Sequence, residues 1–215
     1  MANVSLWSNV GVAVESALAT ALTITGITKA NPGVVTYTGT DPVNGDYVLL
    51  KVLGMHQVDY RLFKVANVNA GANTLELSGE NTTGYDTFSS GTAEVVTFGT
   101  TLATLTGLSA SGGEAEQIDI TTIHDSVRKL IPGVASPATY SFESFWDAAD
   151  PGLVALKAAA DNKTQRCVRF TFANGAKVLF VGYIAATLLP VGSAQDKVTT
   201  PVSITMYGRP TVYSS

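Results

Sequence analysis

The amino-acid sequence predicts a mostly β protein, with an antiparallel β-sandwich or barrel flanked by one α-helix and preceded by a small β-barrel domain. Short β runs separated by turn residues, a single well-capped helix and a content rich in Thr, Val and Gly all favour this fold class. Hydrophobic residues make up 46% of the 215 residues and charged residues only 14%. The chain therefore has material for a sizeable core, and this composition argues against intrinsic disorder.

The charge pattern argues against a protein that grips nucleic acid. There are 13 basic and 17 acidic residues, for a net charge of −4, and no basic run is longer than Arg128-Lys129. A phosphate-binding surface needs clustered cations, which are missing. So low a charged fraction is typical of a subunit whose surface is covered by partners.

The cysteine and the N-terminal segment suggest a protein made in cytosol-like conditions. Cys167, the single cysteine, excludes an intrachain disulfide and a cysteine-based zinc site, and its strand-like context "RCVRFTF" indicates a packed thiol. The opening "MANVSLWSNV" lacks the basic and apolar regions of a signal peptide. No apolar run approaches the roughly 18 residues of a membrane span, so no membrane insertion is expected.

Residues 1–22 are predicted to form an N-terminal arm. Trp7 lies so close to the terminus that it needs burial against its own core or against a neighbouring subunit. Val10, Val12 and Val14 follow at alternate positions. A neighbouring subunit is the favoured partner of these four side chains.

Residues 23–97 are predicted to form the small β-barrel. Short β runs such as "GVVTYTG", "GDYVLLKV" and "YRLFKVANV" recur every 8–12 residues or so, separated by turn segments such as "NPG" and "NAGAN". The segment carries seven acidic and four basic residues, which accounts for most of the net charge.

Residues 98–215 are predicted to form the larger domain, with its helix after "FWDAAD". Asp150 is expected as the N-cap and Pro151 as the first helical residue. An apolar stripe of Leu153, Leu156 and Ala160 would dock this helix on a sheet.

The strands after the helix give the strongest local pattern. Asn174-Gly175 predicts a type I′ hairpin turn between "RCVRFTF" and "KVLFVGYIAATLL". The second of these strands is apolar on both faces and is therefore expected to be buried on both. A last strand would point Val198, Val202, Ile204 and Met206 inward.

The residues that suggest chemistry do not form a recognisable catalytic site. His124, Asp125 and Ser126 are consecutive and so point in different directions, whereas a triad is assembled from separated segments. The chain has two histidines, His56 and His124. The acidic set Glu114, Glu116 and Asp119 lacks the spacing of a calcium loop. We therefore expect no catalytic residue, no metal and no cofactor.

The second domain resembles the major tail tube proteins of long, non-contractile (siphovirus-type) phage tails. The resemblance covers about residues 98–215 and rests on five pieces in order: an "E.IDITT" strand, a loop ending in "IPG", "WDAADPGLVALKAA", "RFTFANGAKVLFVGY" and "DKVTTPVSITMYGRP". Residues 23–97 are similar to a small β-barrel module that recurs in phage virion proteins. That module resembles one half-domain of ubiquitin-activating enzymes in fold alone.

The resemblance implies a structural virion protein that assembles in the host bacterial cytoplasm. Such subunits form hexameric rings that stack into a tube, which passes double-stranded DNA after the tape-measure protein, and terminator and baseplate proteins contact the tube ends. The added barrel would lie outside the tube. Ring closure would cover the two-sided apolar strand.

The resemblance also implies candidate contact residues in the stretch "IDITTIHDSVRKLIPG". Its first part is expected to be a strand and its second part a loop that packs on the next subunit or ring. The expected inter-subunit and inter-ring contacts, besides those of the arm, are Ile123, Val127, Arg128, Lys129, Leu130 and Ile131. Glu114, Glu116 and Asp119 are candidate acidic partners of a neighbour or candidate lumen residues.

One alternative remains open from the sequence. The chain would then be another phage tail component, a connector or a baseplate or adhesin module, whose barrel binds host glycans. Tyr37, Tyr60 and Tyr85 would be its binding candidates.

Overall fold

The computed structural model describes residues 10–102 and 104–214, which form sixteen strands and one helix. The first eight strands are β1 (Gly11–Val14), β2 (Ala17–Leu18), β3 (Leu22–Ile27), β4 (Val34–Thr38), β5 (Tyr47–Leu53), β6 (Arg61–Asn69), β7 (Thr74–Leu77) and β8 (Ser90–Thr97). A 3₁₀ turn, His56–Val58, precedes β6. The remaining elements are β9 (Thr100–Leu102), β10 (Leu105–Ser111), β11 (Ala115–Asp119), β12 (Leu130–Ala135), β13 (Thr139–Phe145), α1 (Pro151–Asp161), β14 (Gln165–Thr171), β15 (Lys177–Ala186) and β16 (Thr199–Tyr213).

Strands β3 to β8 form the predicted small barrel. They are ordered β8-β3-β4-β7-β6-β5, and β5 also pairs with β8, which closes the sheet on itself. Inward-facing side chains such as Tyr37, Leu50 and Phe63 fill the interior. The prediction of a mostly β protein with a small barrel and one helix is confirmed.

The larger domain is a curled sheet of seven strands in the order β10-β13-β16-β15-β14-β1-β9. Strands β9 and β10 lie at opposite edges of this sheet, yet β9 ends at Leu102 and β10 begins at Leu105. The sheet must therefore curl until its two edges approach each other. Helix α1 packs into the curl through Leu153 and Leu156, both fully buried.

The helix begins as the sequence predicts. One carboxylate oxygen of Asp150 accepts hydrogen bonds from the backbone N–H groups of Gly152, at 2.7 Å, and Leu153, at 3.1 Å. Those groups would otherwise lack partners in the first turn. Ala159, rather than the expected Ala160, completes the buried stripe.

Part of the predicted N-terminal arm is a strand of this core sheet. Strand β1 pairs with β14 on one side and with β9 on the other. Val12 and Val14 are buried in the core of their own chain, and Val10 packs against the same core. The expectation that a neighbouring subunit covers Val12 and Val14 is therefore corrected, because β14 supplies their partner in the same chain. Trp7 lies outside the described residues.

The barrel is consequently inserted between two adjacent strands of the core sheet. The chain leaves β1, builds β2 to β8, and returns in β9 beside β1. At the crossing point, the Ser16 N–H donates to the Thr97 carbonyl at 2.8 Å.

Residues 179–182 of β15 are buried on both faces of the sheet, as predicted, whereas Tyr183 and Ala185 in its second half are exposed. Phe180 and Ile184 face the helix and the sheet core. Leu179 and Val181 face the barrel, where they pack with Tyr47, Leu49 and Leu62. The barrel of the same chain thus covers the second face, which ring closure was expected to cover.

Two local predictions differ from the structure. The hairpin before β15 is a three-residue loop, since Gly175 N–H donates to the Phe172 carbonyl and Phe172 N–H to the Ala176 carbonyl, each at 2.9 Å. Gly175 has a φ of +85°, as a type I turn followed by a left-handed glycine requires. Val198 is exposed because β16 begins one residue later, at Thr199.

Candidate assembly surfaces

Strands β11 and β12 form a separate two-stranded hairpin, hereafter hairpin 115–135, between β10 and β13. At its base the Ser136 N–H donates to the Glu114 carbonyl at 2.9 Å. Its exposed apolar side chains are Ile118, Ile120, Ile123, Val127, Leu130, Ile131 and Val134. Ile123 is 96% exposed and Val127 72%. Large apolar side chains exposed in such number on one hairpin are characteristic of an interaction site.

Ion pairs and hydrogen bonds within the hairpin hold its tip. Arg128 Nε lies 2.9 Å from an Asp119 carboxylate oxygen, and Lys129 pairs with Asp125. Asp125 also accepts hydrogen bonds from the N–H and hydroxyl of Thr122, each at 2.9 Å. The tip therefore presents its apolar side chains from a defined loop.

These contacts lower the pKa values of both carboxyl groups. Hydrogen bonds from Thr121 are the largest cause of the lowered pKa of Asp119, followed by the hydrogen bond from Arg128. The hydrogen bond from Lys129 is the largest cause of the lowered pKa of Asp125, followed by the hydrogen bonds from Thr122. Each donor stabilises the charged carboxylate relative to the neutral acid.

The three consecutive residues that suggest a triad make no relay. His124 and Ser126 are exposed on the loop, and the Asp125 carboxylate is engaged by Thr122 and Lys129 rather than by His124. Asp125 has the structural role of fixing the hairpin tip.

The basic pair of the loop has acidic partners in its own chain. The sequence suggested Glu114 or Glu116 of a neighbour as partners of Arg128 and Lys129. In the structure, Asp119 and Asp125 pair with them, while Glu114 and Glu116 are exposed, with no ion pair to any residue in 10–102 or 104–214. All six predicted loop contact residues lie on hairpin 115–135 and are exposed.

A second exposed surface, hereafter the small-residue face, covers the outer side of β10, β13 and the first half of β16. Ser109, Ser141 and Ser203 lie side by side in register across the three strands. Thr139 and Thr205 form a neighbouring pair, with their hydroxyl oxygens 3.4 Å apart. The remaining outward positions are Gly107, Ser111, Glu143, Pro201 and, at the end of β13, Phe145, which is 45% exposed. Glu143 is the charged residue among these strand positions, and Lys197, from the loop before β16, lies over the Phe145 ring with its Nζ 5.7 Å from the ring centroid.

Sequence reasoning missed this face. The alternation of aromatic and polar residues in "TYSFESF" predicts a strand but does not predict which strands it joins. The pairing with β10 and β16 is what collects the serines, and their separation in sequence gives no local signal for it.

The core sheet also has two open edges. Strand β10 pairs with β13 alone and strand β9 with β1 alone among the described strands. Their outer backbone groups are available to a neighbouring strand, and an edge left open in this way invites pairing between chains.

The cysteine, the tyrosines and the remaining histidine that the sequence suggested as possible functional residues lie at the following positions in the fold. Cys167 is buried at the junction of barrel and sheet, and burial raises the pKa of its thiol. Tyr37 is buried and donates to Asp41 at 2.9 Å; burial raises its pKa to about 12. Tyr85 donates to Glu80 at 2.5 Å, and Tyr60 packs edge-on against Tyr207 with ring centroids 4.6 Å apart. His56 is exposed on the 3₁₀ turn.

No helix formed by residues 10–102 and 104–214 has the length and apolarity to cross a membrane. Over the same residues, no three His, Cys, Asp or Glu side chains cluster in a way that could hold a metal ion.

Comparison with known proteins places the chain in a family. The family model for the phage tail tube protein matches residues 54–215, which include barrel strands β6 to β8 and every core strand except β1. The tail of an empty gene transfer agent particle, with C6 symmetry, is similar at 18% identity and a TM-score of 0.44, over 53% of this chain and 85% of that one. The virion of a native gene transfer agent particle gives the same identity, TM-score and coverage of this chain, with 88% of its own chain covered. No curated protein sequence matches. Since the family model spans most of the 215 residues, this chain belongs to the phage tail tube protein family.

Proposed function

We propose that this chain is the repeating subunit of a phage tail tube, in which hexameric rings stack and enclose a channel for double-stranded DNA. Membership of the tail tube family carries the proposal. A structural role in the virion follows from that family. Ring number, symmetry and the passage of DNA are the proposed details.

Hairpin 115–135 supports self-assembly because it exposes apolar side chains that no other residue within 10–102 or 104–214 covers. The hairpin projects Ile123 and Val127 from a tip fixed by two ion pairs. Burying such side chains against another subunit gains about 1.5–3 kcal/mol for each large side chain fully covered. We assign the hairpin to the contact with the next subunit or ring.

The open edges β9 and β10 support lateral closure. Edge-to-edge pairing of curled sheets around a ring removes unpaired backbone groups from water, as in a closed barrel. The tube then needs no additional domain to cover these edges.

The small-residue face supports a channel lining. Apart from Phe145 at the end of β13, its outward side chains are short or lack charge, and Glu143 adds negative charge between Ser141 and Pro201. Lys197 lies over Phe145 at the end of the face. DNA carries about one negative charge per 1.7 Å, so such a lining repels the duplex instead of binding it. We assign this face to the lumen and the barrel to the exterior.

The direct test is electron microscopy of the purified protein. Tubes with six-fold cross-sections are expected. Discrete monomers under all solution conditions would contradict the proposal. A density map of the tubes would also report whether β10, β13 and β16 line the channel.

A charge-swap series tests the hairpin. Arg128→Glu is expected to abolish polymerisation, because it places two acids together in the hairpin and inverts the charge of the contact surface. Asp119→Arg combined with Arg128→Glu restores the internal pair but keeps the inverted surface. Continued failure of the double variant assigns Arg128 to the neighbour contact, whereas rescue assigns it to the internal pair alone.

Glu143→Lys tests the lumen. Assembled tails that carry this change are expected to eject DNA more slowly, because the duplex would now meet a ring of cations. Asp86→Lys, on an exposed loop of the barrel, is the matched control. Unchanged ejection kinetics for Glu143→Lys would count against a lumenal position of this face.

A further inference from the structure

A polar cavity of about 550 Å³ lies where the barrel meets the end of the core sheet. The barrel contributes Tyr47, Lys64 and the turn after β7, and the sheet contributes the start of β15 and the end of β16. These residues belong neither to hairpin 115–135 nor to the small-residue face, and tube formation leaves the cavity without a role.

Two lysines line this cavity and one arginine lies beside it, and none of them has an ion-pair partner among the described residues. Lys64 and Lys177 line it from opposite domains, and Lys177 Nζ lies 5.8 Å from the centroid of the Tyr47 ring. Arg169 lies over the same ring at 5.6 Å. None of the three forms an ion pair with a carboxylate of residues 10–102 or 104–214.

The carboxylate in the lining is already neutralised. Glu80 accepts two hydrogen bonds from Arg61, at 2.7 and 3.2 Å, and one from the Tyr85 hydroxyl at 2.5 Å. Glu80 therefore does not compensate the positive charges of Lys64 and Lys177.

Two hydroxyl groups beside the lysines add donors. Thr211 is 4% exposed, and its Oγ1 has no hydrogen-bond partner among the described residues. A buried hydroxyl without a partner costs free energy unless a ligand or water supplies one. The Tyr213 hydroxyl accepts the Lys64 N–H at 2.8 Å, so its own proton remains to be donated. Burial raises the pKa of Tyr213 to about 12, which keeps that proton in place.

We propose that this cavity binds a tetrahedral oxyanion, a phosphate or sulfate group, through Lys64, Lys177, Thr211 and Tyr213. Two ammonium groups supply the opposite charge, and two hydroxyl groups supply further donors to an anion with four acceptor oxygens. The group is either a free ion or a substituent of a saccharide. The site is independent of tube assembly, so either proposal can fail without the other.

Inorganic phosphate is the first probe, titrated into purified wild-type protein at constant ionic strength and followed by ³¹P NMR and calorimetry. Saturable binding of one phosphate per chain is expected. Lys64→Met with Lys177→Met should weaken binding by about 10- to 100-fold, because each charge-assisted bond contributes substantially. Thr211→Val keeps the shape of the side chain and should weaken binding as well.

Lys29→Met is the matched control, since Lys29 is an exposed barrel lysine outside the cavity lining. It should bind phosphate like the wild type. Circular dichroism reports whether each variant folds. If the double lysine variant does not fold, phosphate binding by Thr211→Val tests the proposed site.

Absence of saturable binding to the wild type, or equal binding by wild type and folded variants, overturns the proposal. Glucose 6-phosphate then separates the two sources of the group. Tighter binding than that of inorganic phosphate assigns the site to a saccharide-borne group, and equal or weaker binding assigns it to the free ion.

Discussion

At the scale of single residues, the carboxylates of Asp125 and Asp150 show how one residue type serves two local structures. Asp125 closes the hairpin tip by binding Thr122 and Lys129. Asp150 closes the first turn of α1 by accepting two backbone N–H groups. In both places the carboxylate satisfies donors that a turn or helix end leaves without partners.

Lys129→Met should raise the pKa of Asp125 toward its ordinary value, since Lys129 is the largest contributor to its lowered pKa. Carbon-detected NMR titration of the carboxyl groups measures this. The pKa of Asp119 should not move in the same sample, because its contributions come from Thr121 and Arg128. A parallel shift of both groups would indicate that the whole hairpin had rearranged.

The lowered pKa values also set the pH range over which the hairpin tip is held. A carboxyl group with a depressed folded pKa contributes fully above its ordinary pKa, 3.8 for both groups, and the contribution is lost as pH falls through the lower folded value. Tube assembly at neutral pH should therefore be insensitive to small pH changes. Sedimentation between pH 5 and 8, roughly the range of maximal protein stability, measures this.

Asp150→Ala should lower the free energy of unfolding by about 1–2 kcal/mol, the usual cost of losing a helix N-cap. Urea denaturation followed by circular dichroism measures the change. Asp161→Ala at the other end of α1 is the control. It removes an exposed pair with Lys157 and should cost at most about 0.5 kcal/mol. Equal losses for the two variants would argue against the capping role.

At the scale of elements, hairpin 115–135 is the part of the fold where folding and assembly make different demands. Its strands pair with each other and leave their apolar side chains exposed. An isolated two-stranded hairpin is marginally stable in water, so a partner surface is needed to hold it in place.

Ile123→Ser with Val127→Ser should prevent tube formation while leaving the melting temperature of the subunit nearly unchanged, because both side chains are already exposed. Sedimentation and electron microscopy report the tubes. Val43→Ser removes a comparably exposed side chain, 68% accessible, from the barrel and should leave assembly intact. Normal tubes from the double variant would contradict the proposed contact.

The sequence allowed some elements to be predicted because their signals are local. The cap and proline of α1 and the two-sided apolar pattern of β15 each lie within a dozen or so residues. The pairing of β1 with β14 joins residues separated by most of the chain, and the second strand of hairpin 115–135 contains Pro132 and Gly133, which favour a loop. Such pairings depend on tertiary packing, which a local pattern does not encode.

At the scale of the whole molecule, one apolar cluster joins barrel and core sheet. Leu49, Leu62 and Val96 from the barrel meet Cys167, Leu179 and Val181 from the sheet. Because these side chains are almost completely buried, we expect the two domains to unfold in a single cooperative transition.

Leu179→Ala should lower the free energy of unfolding by about 2–5 kcal/mol, since it leaves a cavity at the junction. Calorimetry should also show the single transition broaden or split. Leu53→Ala changes an exposed leucine at the end of β5, 65% accessible, and should have an effect within about 0.5 kcal/mol. A split transition already present in the wild type would contradict the coupling of the domains.

The insertion of the barrel between β1 and β9 has an evolutionary consequence. The chain enters and leaves the barrel at neighbouring points, where the Ser16 N–H lies 2.8 Å from the Thr97 carbonyl. A short turn between β1 and β9 could therefore replace the whole barrel without changing the strand order of the core sheet. The loss would expose the outward side of β15. Ancestors or relatives that lack the barrel should therefore carry polar residues where this chain has Cys167, Leu179 and Val181. The residue types at these three positions would indicate whether a relative has the barrel.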